Sequence, residues 1–315
     1  MARAFVFPGQ GSQDVGMGKA LADAFPSARA VFEEVDDALG EKLSALIWEG
    51  PKETLTLTEN AQPALMAVSM AVVRALEAER GVSLGKTVSF VAGHSLGEYS
   101  ALAAAGAFSL GDAARLLRLR GRAMQKAVPV GLGGMAALLG VGVDVAEKVA
   151  AEAAQGDVCD VANDNEPTQV VLSGHKTAID RVAEIGKAHG VRRAVPLPVS
   201  APFHCALMQP AADAMAEALA SVKVNTPVVP VVANVLAAPL SDPEEIKKRL
   251  IEQVTQRVRW RECVAAMSAL GVTDFYEIGA GKVLAGLVKR TAPTANAVSI
   301  GLPTDIDAAL AALTS

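Results

Sequence analysis

The sequence predicts an α/β protein: a mainly parallel sheet covered by helices on both faces, with a smaller subdomain inserted in it. Three observations predict this class. Short apolar runs alternate with longer amphipathic segments, which is typical of parallel strands joined by crossover helices. A Gly-x-Ser-x-Gly turn connects one such run to a helix. Between positions 129 and 199 the order changes to βαββαβ, the ferredoxin-like pattern.

The large domain is predicted to comprise residues 1–128 and 200–315, with residues 129–199 as the inserted subdomain. Gly131, Gly133 and Gly134 precede the first strand of the insertion and Pro196 and Pro198 follow its pattern, and such residues mark connections. Helices are expected at 112–126, at 210–220 and from Pro63, which suits the first position of a helix, to Arg80. Buried strands are expected at 4–7, 87–92, 228–233 and 273–278 in the large domain and at 135–141, 158–162, 169–173 and 192–198 in the small one, where helices should cover 145–155 and 178–189.

Composition excludes several classes of protein. Apolar residues make up 51% of the 315, too many for a disordered chain. The net charge is −5 and no Lys/Arg-rich run occurs, so no nucleic-acid surface is expected. Three cysteines lie far apart, so neither a disulfide framework nor a metal site is expected. The longest apolar stretch, 228–240, is interrupted by prolines, and no signal sequence is recognised. We therefore expect no membrane segment and a cytoplasmic protein.

The Gly-x-Ser-x-Gly pattern spans Gly93 to Gly97 and places Ser95 between a predicted strand and a predicted helix. In that context the serine sits on a sharp turn with its hydroxyl exposed, and the glycines permit the turn. Backbone N–H groups at the start of the following helix suit a developing oxyanion. The plainer interpretation is that Ser95 only caps the helix. The context favours a nucleophile.

A nucleophilic serine needs a base, and the chain has four histidines. His94 is adjacent to Ser95 in a tight turn and is poorly placed to reach its hydroxyl. His175 and His189 fall in loops or helix ends of the small subdomain. His204 lies in a loop at the junction of the two predicted domains, where sites collect. His204 is therefore the favoured base, although a lone loop histidine is more often structural.

Arg120 is a charged residue on an apolar helix face. On the helix at 112–126, Arg115, Arg118 and Arg122 fall on one stripe that is expected to be solvated. Arg120 lies instead on the face predicted to be buried, together with Met124. A buried guanidinium needs an anionic partner. That partner is either a structural carboxylate or the carboxylate of a substrate, which arginine binds with two parallel hydrogen bonds.

Six motifs together cover nearly the whole chain. They are FPGQGSQ at 7–13, QPAL at 62–65, GHSLGEYSAL at 93–102, RGRAMQ at 120–125, PFHCALM at 202–208 and YEIGAGKVLAGLVKR at 276–290. In this combination the chain resembles the malonyl-CoA:acyl carrier protein transacylases of bacterial type II fatty-acid synthesis. This resemblance implies a hydrolase-like α/β core with a ferredoxin-like subdomain.

The resemblance implies a role for each matching residue. Ser95 matches the nucleophile of the family and His204 its general base. Arg120 matches the arginine that pairs with the malonyl carboxylate. The other matches are the backbone N–H groups of the oxyanion hole (Gln13 and Leu96), the main-chain carbonyl that orients the histidine (Gln253) and the residues lining the site (Gln62, Met124 and Asn163). Phe203, directly before His204, resembles the pattern that related polyketide acyltransferases use for malonyl rather than methylmalonyl, which implies a substrate-binding position.

One departure from the family pattern lies close to Gln253. Related chains often carry Asn-Pro four and three residues before the tryptophan that is Trp260 here, and this chain has Gln256 and Arg257. A proline restricts the backbone at its own position and at the preceding one. The turn is therefore expected to differ, which bears on where the Gln253 carbonyl points.

The implied reaction is a two-step transfer of malonyl from malonyl-CoA through a Ser95 ester to the phosphopantetheine thiol of acyl carrier protein. It needs no cofactor, because the coenzyme A thioester is a substrate, and a monomer is expected. Two alternatives stay open. A serine esterase or thioesterase would use water and an acidic triad member, for which Asp160 and Asp164 are candidates by sequence position. A non-catalytic binder of acyl carrier protein would need no nucleophile.

Overall fold

The computed structural model describes residues 2–199 and 201–314. The predicted domain limits at positions 1, 200 and 315 lie outside the described residues. The strands are β1 (Ala2–Phe7), β2 (Phe90–Gly93), β3 (Gly133–Leu139), β4 (Cys159–Glu166), β5 (Gln169–His175), β6 (Arg193–Pro196), β7 (Val231–Ala233), β8 (Ala238–Leu240), β9 (Val272–Ile278) and β10 (Asn296–Ile300). The helices are α1 (Lys19–Ala24), α2 (Pro26–Leu39), α3 (Leu43–Glu49), α4 (Lys52–Thr56), α5 (Thr58–Arg80), α6 (Leu84–Thr87), α7 (Gly97–Ala104), α8 (Leu110–Ala127), α9 (Val143–Ala154), α10 (Lys176–Ala188), α11 (Gln209–Ser221), α12 (Pro243–Thr255), α13 (Trp260–Ala269), α14 (Val283–Thr291) and α15 (Pro303–Thr314).

The larger sheet of the described residues has six strands in the order β10-β9-β1-β2-β7-β8. All neighbours in it are parallel except β8, which pairs antiparallel with β7. Along β1, Phe5 and Phe7 pack into the apolar cluster on one face and Ala4 and Val6 into the cluster on the other. Burial on both faces explains why this strand is a continuous apolar run in the sequence.

The smaller sheet is antiparallel and has the order β4-β5-β3-β6 within the described residues. The helices α9 and α10 pack on it around a separate apolar cluster. This is the predicted βαββαβ arrangement, so the predicted fold class is confirmed. The exact domain limits stay a prediction.

The two sheets are tied together along β4. Asp164 is fully buried and accepts hydrogen bonds of 2.8–3.0 Å from Arg261 of α13. Glu166 pairs with Arg290 of α14. An isolated parallel bridge also joins Asn163 to Val258. These contacts hold the small subdomain against the large one beside the loop that carries His204.

Several details of the sequence prediction were wrong. Pro63 does not begin its helix, because α5 starts at Thr58 and includes it. The run at 87–92 is split: α6 ends at Thr87 and β2 begins only at Phe90. The short strands β8 and β10 were not predicted. No helix of the described part is long and apolar enough to cross a bilayer.

Candidate active site

Ser95 lies in the sharp turn between β2 and α7. Its φ angle is +54°, a conformation that residues other than glycine rarely adopt. The flanking glycines are required by close backbone contacts: a Cβ on Gly93 would lie 1.9 Å from the carbonyl of Gly97, and one on Gly97 would lie 2.2 Å from the carbonyl oxygen of Phe7. Packing on both sides therefore maintains the strained turn that the sequence predicts.

The hydroxyl of Ser95 meets the imidazole of His204. The distance from Ser95 Oγ to His204 Nε2 is 2.7 Å, and His204 Nδ1 lies 2.7 Å from the main-chain oxygen of Gln253. Because a carbonyl oxygen can only accept, Nδ1 carries the proton. The unprotonated Nε2 therefore accepts from the serine hydroxyl, as a general base must.

His204 stays neutral because of its surroundings. Burial lowers the pKa of its imidazole to about 3, and the positive charge of Arg120 acts in the same direction. The hydrogen bond to the Gln253 carbonyl opposes both by favouring the protonated ring. At neutral pH the ring is thus an uncharged base.

The other three histidines have different partners. His94 lines the cavity described below, and its Nε2 lies 2.8 Å from Asn165 Oδ1. His175 Nδ1 accepts the Val158 N–H at 2.9 Å. His189 lies 2.7 Å from a Glu152 carboxylate oxygen. None of these hydrogen bonds involves Ser95.

No carboxylate of the described residues completes a triad with His204. Asp160 accepts the backbone N–H of Ala206 at 2.9 Å, and Asp164 is engaged by Arg261. The histidine is oriented by a carbonyl instead, so the acid expected for the esterase alternative is missing from the described part of the chain. The departure at Gln256 and Arg257 leaves the Gln253 carbonyl in contact with the ring.

Arg120 is buried beside Ser95 and donates only to neutral acceptors. It is 1% exposed. Its terminal nitrogens donate to Gln62 Oε1 at 2.8 Å, Gln253 Oε1 at 2.9 Å and Ser95 Oγ at 3.1 Å. Its Nε is buried without a hydrogen-bond partner in the described structure. Burial lowers the pKa of the guanidinium. A carboxylate is thus the group that this pocket lacks.

The prediction of a solvated arginine stripe was wrong for one of its three members. Arg115 and Arg122 are exposed, but the Arg118 side chain is only 7% exposed. Arg118 pairs with Glu41 and donates to the main-chain oxygen of Glu59 at 2.8 Å. The loop before α3 and the first turn of α5 cover this part of α8, which helix periodicity does not reveal.

A cavity of about 470 Å³ lies above Ser95, between the large domain and the small subdomain. The predicted site residues converge on it, except Gln253, which lies behind Ser95 and His204. Leu96 directly precedes α7, where a helix leaves backbone N–H groups without intrahelical acceptors. The predicted residues on its wall are Gln13, Gln62, Ser95, Leu96, Arg120, Met124, Asn163, Phe203 and His204.

A second cavity of about 580 Å³ lies on the other side of His204. Of Ser95 and His204, only the histidine lines it, so its larger volume does not make it the candidate site. No group of three or more His, Cys, Asp or Glu side chains in the described residues could hold a metal ion.

Sequence reasoning missed two buried polar residues beneath the serine. Asn234, just after β7, accepts the Ser95 N–H at 2.9 Å and donates to the Gly93 carbonyl at 2.8 Å. Glu98 is the one charged residue of the buried helix α7. Its position on an apolar helix was a signal of the kind that identified Arg120. Nothing local marks Asn234.

Comparison with known proteins identifies the family. The model of the acyl transferase domain matches residues 4–311. The malonyl CoA-acyl carrier protein transacylase of Escherichia coli strain K12 is 46% identical over 307 residues, which are 98% of each chain. The chain belongs to the malonyl CoA-acyl carrier protein transacylase family. The predicted family is thereby confirmed.

Solved structures of the transacylase family share the fold. The acyl-carrier-protein-S-malonyltransferase of Bartonella henselae superimposes with a TM-score of 0.98 at 56% identity, over the whole of both chains. A malonyl-transacylase solved in complex with a type II polyketide acyl-carrier protein has a TM-score of 0.95 at 43% identity, covering 99% of this chain and 100% of that one. The two-sheet architecture is thus that of transacylases.

Proposed function

We propose that the chain transfers malonyl from malonyl-CoA to the phosphopantetheine thiol of acyl carrier protein, with Ser95 as nucleophile and His204 as general base. Membership of the transacylase family supports the reaction. One observation supports the residue roles above all others: a buried arginine without a carboxylate partner in the described structure donates to the Ser95 hydroxyl itself, at 3.1 Å. A carboxylate two bonds from the reacting carbonyl fits that position.

In the first step Ser95 Oγ attacks the thioester carbonyl carbon of malonyl-CoA while His204 Nε2 takes the hydroxyl proton. The carbonyl oxygen becomes an oxyanion against the backbone N–H groups of Gln13 and Leu96. Losing one such donor typically costs about 10²–10³ in rate. When the carbon–sulfur bond breaks, the coenzyme A thiolate takes the proton from His204, leaving a malonyl ester on Ser95.

In the second step the thiol of acyl carrier protein gives its proton to His204, and its sulfur attacks the ester carbonyl. The bond to Ser95 Oγ breaks, and the serine regains its proton from the imidazole. The two substrates react in turn, so ping-pong kinetics follow. The main-chain oxygen of Gln253 holds the imidazole in the tautomer that both steps use.

Arg120 selects the acyl group. Its guanidinium pairs with the malonyl carboxylate, and an acetyl group leaves the buried charge unpaired, which is costly. Asn163, Met124 and Phe203 shape the rest of the cavity, and Gln62 holds the guanidinium. We further propose a cytoplasmic monomer that supplies malonyl units for fatty-acid synthesis.

Intact-protein mass spectrometry tests the covalent step. After brief mixing with malonyl-CoA, wild-type protein should carry a malonyl adduct that acyl carrier protein discharges, and Ser95→Ala should carry none. An adduct lost to water faster than to thiol would favour the esterase alternative. Absence of any adduct and any turnover would leave the binder as the better interpretation.

A further inference from the structure

A buried carboxylate that neither proposed step uses lies beneath the nucleophile. Glu98, in the first turn of α7, is 1% exposed. Its Oε2 accepts the backbone N–H of Asn234 at 2.8 Å and the side-chain amide of Gln253 at 3.0 Å. Burial raises the pKa of Glu98 to about 7, against the pull of these two donors and of Arg120. Above that pH the side chain is an anion with no salt bridge in the described residues.

Three acceptors fix the orientation of the Gln253 amide. Its Nε2 faces Glu98 Oε2, the Ser95 carbonyl oxygen at 3.1 Å and Asn234 Oδ1 at 3.1 Å. A flipped amide would place its oxygen against all three. The Oε1 atom therefore points the other way, and it accepts from Arg120 at 2.9 Å.

Glu98 and Arg120 thus stand on opposite sides of one amide. The order of groups is carboxylate, amide NH₂, amide oxygen and guanidinium, and each contact is a hydrogen bond of 3.0 Å or less. The amide dipole is aligned with the field between the two charges. Hydrogen-bonded groups in such a chain polarise and strengthen one another in a low-dielectric interior.

The position of Glu98 offsets part of the cost of burying the Arg120 charge without occupying the donors of the guanidinium. An isolated charge in the interior is strongly disfavoured, so a buried guanidinium without any counter-charge carries a large desolvation cost. A carboxylate directly on the guanidinium would remove that cost, but it would occupy the donors that a substrate needs. A carboxylate one amide away stabilises the charge and leaves donors available.

We propose that Glu98 is the remote counter-charge of Arg120, acting through the Gln253 amide, and that it thereby sets the preference for malonyl over uncharged acyl groups. Glu98 is a positioning residue, since it touches no reacting atom. The inference rests on the proposed role of Arg120 as the partner of the substrate carboxylate.

The variant Glu98→Gln tests this with almost no change of shape. At pH 8, with acyl carrier protein saturating, kcat/KM is measured for malonyl-CoA and for acetyl-CoA. The ratio of the two should fall about tenfold, mainly through a higher KM for malonyl-CoA. A purely structural role would lower both values together and leave the ratio unchanged, and that result would overturn the proposal.

Glu277→Gln is the matched control. Glu277 is also fully buried, but it accepts the N–H groups of Leu284 and Ala285 at the start of α14. Its variant should lose thermal stability and keep the wild-type ratio. A ratio that falls equally in both variants would show a general effect of removing buried carboxylates, and the proposal would be wrong.

A second variant keeps the proposal falsifiable if Glu98→Gln fails to fold. Gln253→Leu removes the connecting amide, retains the main-chain oxygen that holds His204, and should also lower the malonyl-to-acetyl ratio. In a protein that already carries Arg120→Ala, neither Glu98→Gln nor Gln253→Leu should change that ratio further. A wild-type enzyme without malonyl preference would refute the role of Arg120 itself, whereas a preference that survives both variants would refute only the role of Glu98.

Discussion

Two buried arginines lie two positions apart on α8 and have opposite surroundings. Arg118 has a carboxylate, that of Glu41, directly on its guanidinium. Arg120 has two glutamine oxygens and the Ser95 hydroxyl, and its nearest counter-charge, on Glu98, lies beyond an amide. The Nε atoms of both arginines lack a hydrogen-bond partner in the described structure, so this atom does not distinguish them. The identity of the partners, and not burial, separates the two arginines, and it is the basis for proposing that Arg120 binds a substrate carboxylate.

The largest expected effect separates these two arginines. Arg120→Ala should lower kcat/KM for malonyl-CoA about a thousandfold, equivalent to about 4 kcal/mol, because the malonyl carboxylate is then buried without a partner. Acetyl transfer should be kept or rise. Steady-state kinetics with both thioesters measure this. Equal loss of both activities would remove Arg120 from the selective role.

Arg118→Ala is the control for that experiment. It should cost about 2 kcal/mol of stability, because the Glu59 carbonyl loses its donor and Glu41 its partner. Thermal melts should show this loss, while the malonyl-to-acetyl ratio should stay at the wild-type value.

A smaller effect on malonyl-CoA binding is expected when Arg120, like Arg118, has a carboxylate of the protein directly on its guanidinium. Gln62→Glu places a carboxylate where Gln62 Oε1 now accepts at 2.8 Å, and it sacrifices only a weak contact of 3.7 Å to the Met124 sulfur. The KM for malonyl-CoA should rise about thirtyfold, or about 2 kcal/mol, because the new carboxylate competes for the guanidinium. Gln62→Leu, which adds no charge, should raise it less. An unchanged KM in Gln62→Glu would contradict the competition.

The smallest expected effect concerns pH. Burial and then the charge of Arg120 depress the pKa of His204 to about 3, and below its pKa the protonated ring cannot accept the Ser95 proton. Removing the charge in Arg120→Ala should raise that pKa, so acetyl transfer should fail at a higher pH on acidification. The profile of kcat/KM against pH should not move in Arg118→Ala. Coincident profiles for all three proteins would refute the electrostatic link.

The α/β fold class could be predicted from the sequence because the patterns that indicate strands and helices lie within short segments of the chain. Continuous apolar runs such as Ala4 to Phe7 indicated strands buried on both faces, and β1 confirmed this. The short strands β8 and β10 were missed because each is only partly buried and lacks such a run. Pro63 was misplaced because proline is favoured at the first position of a helix, whereas here it is the sixth residue of α5. The Glu59 carbonyl, four residues before it, accepts from Arg118 in place of the N–H that proline lacks.

Some site residues were predicted from the sequence and others were not, because only some of them depend on residues that are close along the chain. The turn that carries Ser95 depends on Gly93 and Gly97, each two positions from the serine. The burial of Arg120 depends on one face of α8, which the helix period indicates. The contact between His204 and the Gln253 carbonyl joins residues 49 positions apart, and its prediction depended on family resemblance. Glu98 and Asn234, 136 positions apart, meet only after β7 and α7 have packed together.

By itself the sequence determined the α/β class, the sharp turn at Ser95 and the burial of Arg120 on α8, because each depends on residues that are neighbours along the chain or around one helix. The tertiary structure alone decided that Arg118 is also buried, and which of the two buried arginines is paired with a carboxylate. A helix period indicates the face that turns toward the core, but it does not say which other segments cover the helix. Only the packing of α2 and α5 against α8 brings the loop that carries Glu41 to Arg118, and only the packing of α12 places Gln253 between Arg120 and Glu98.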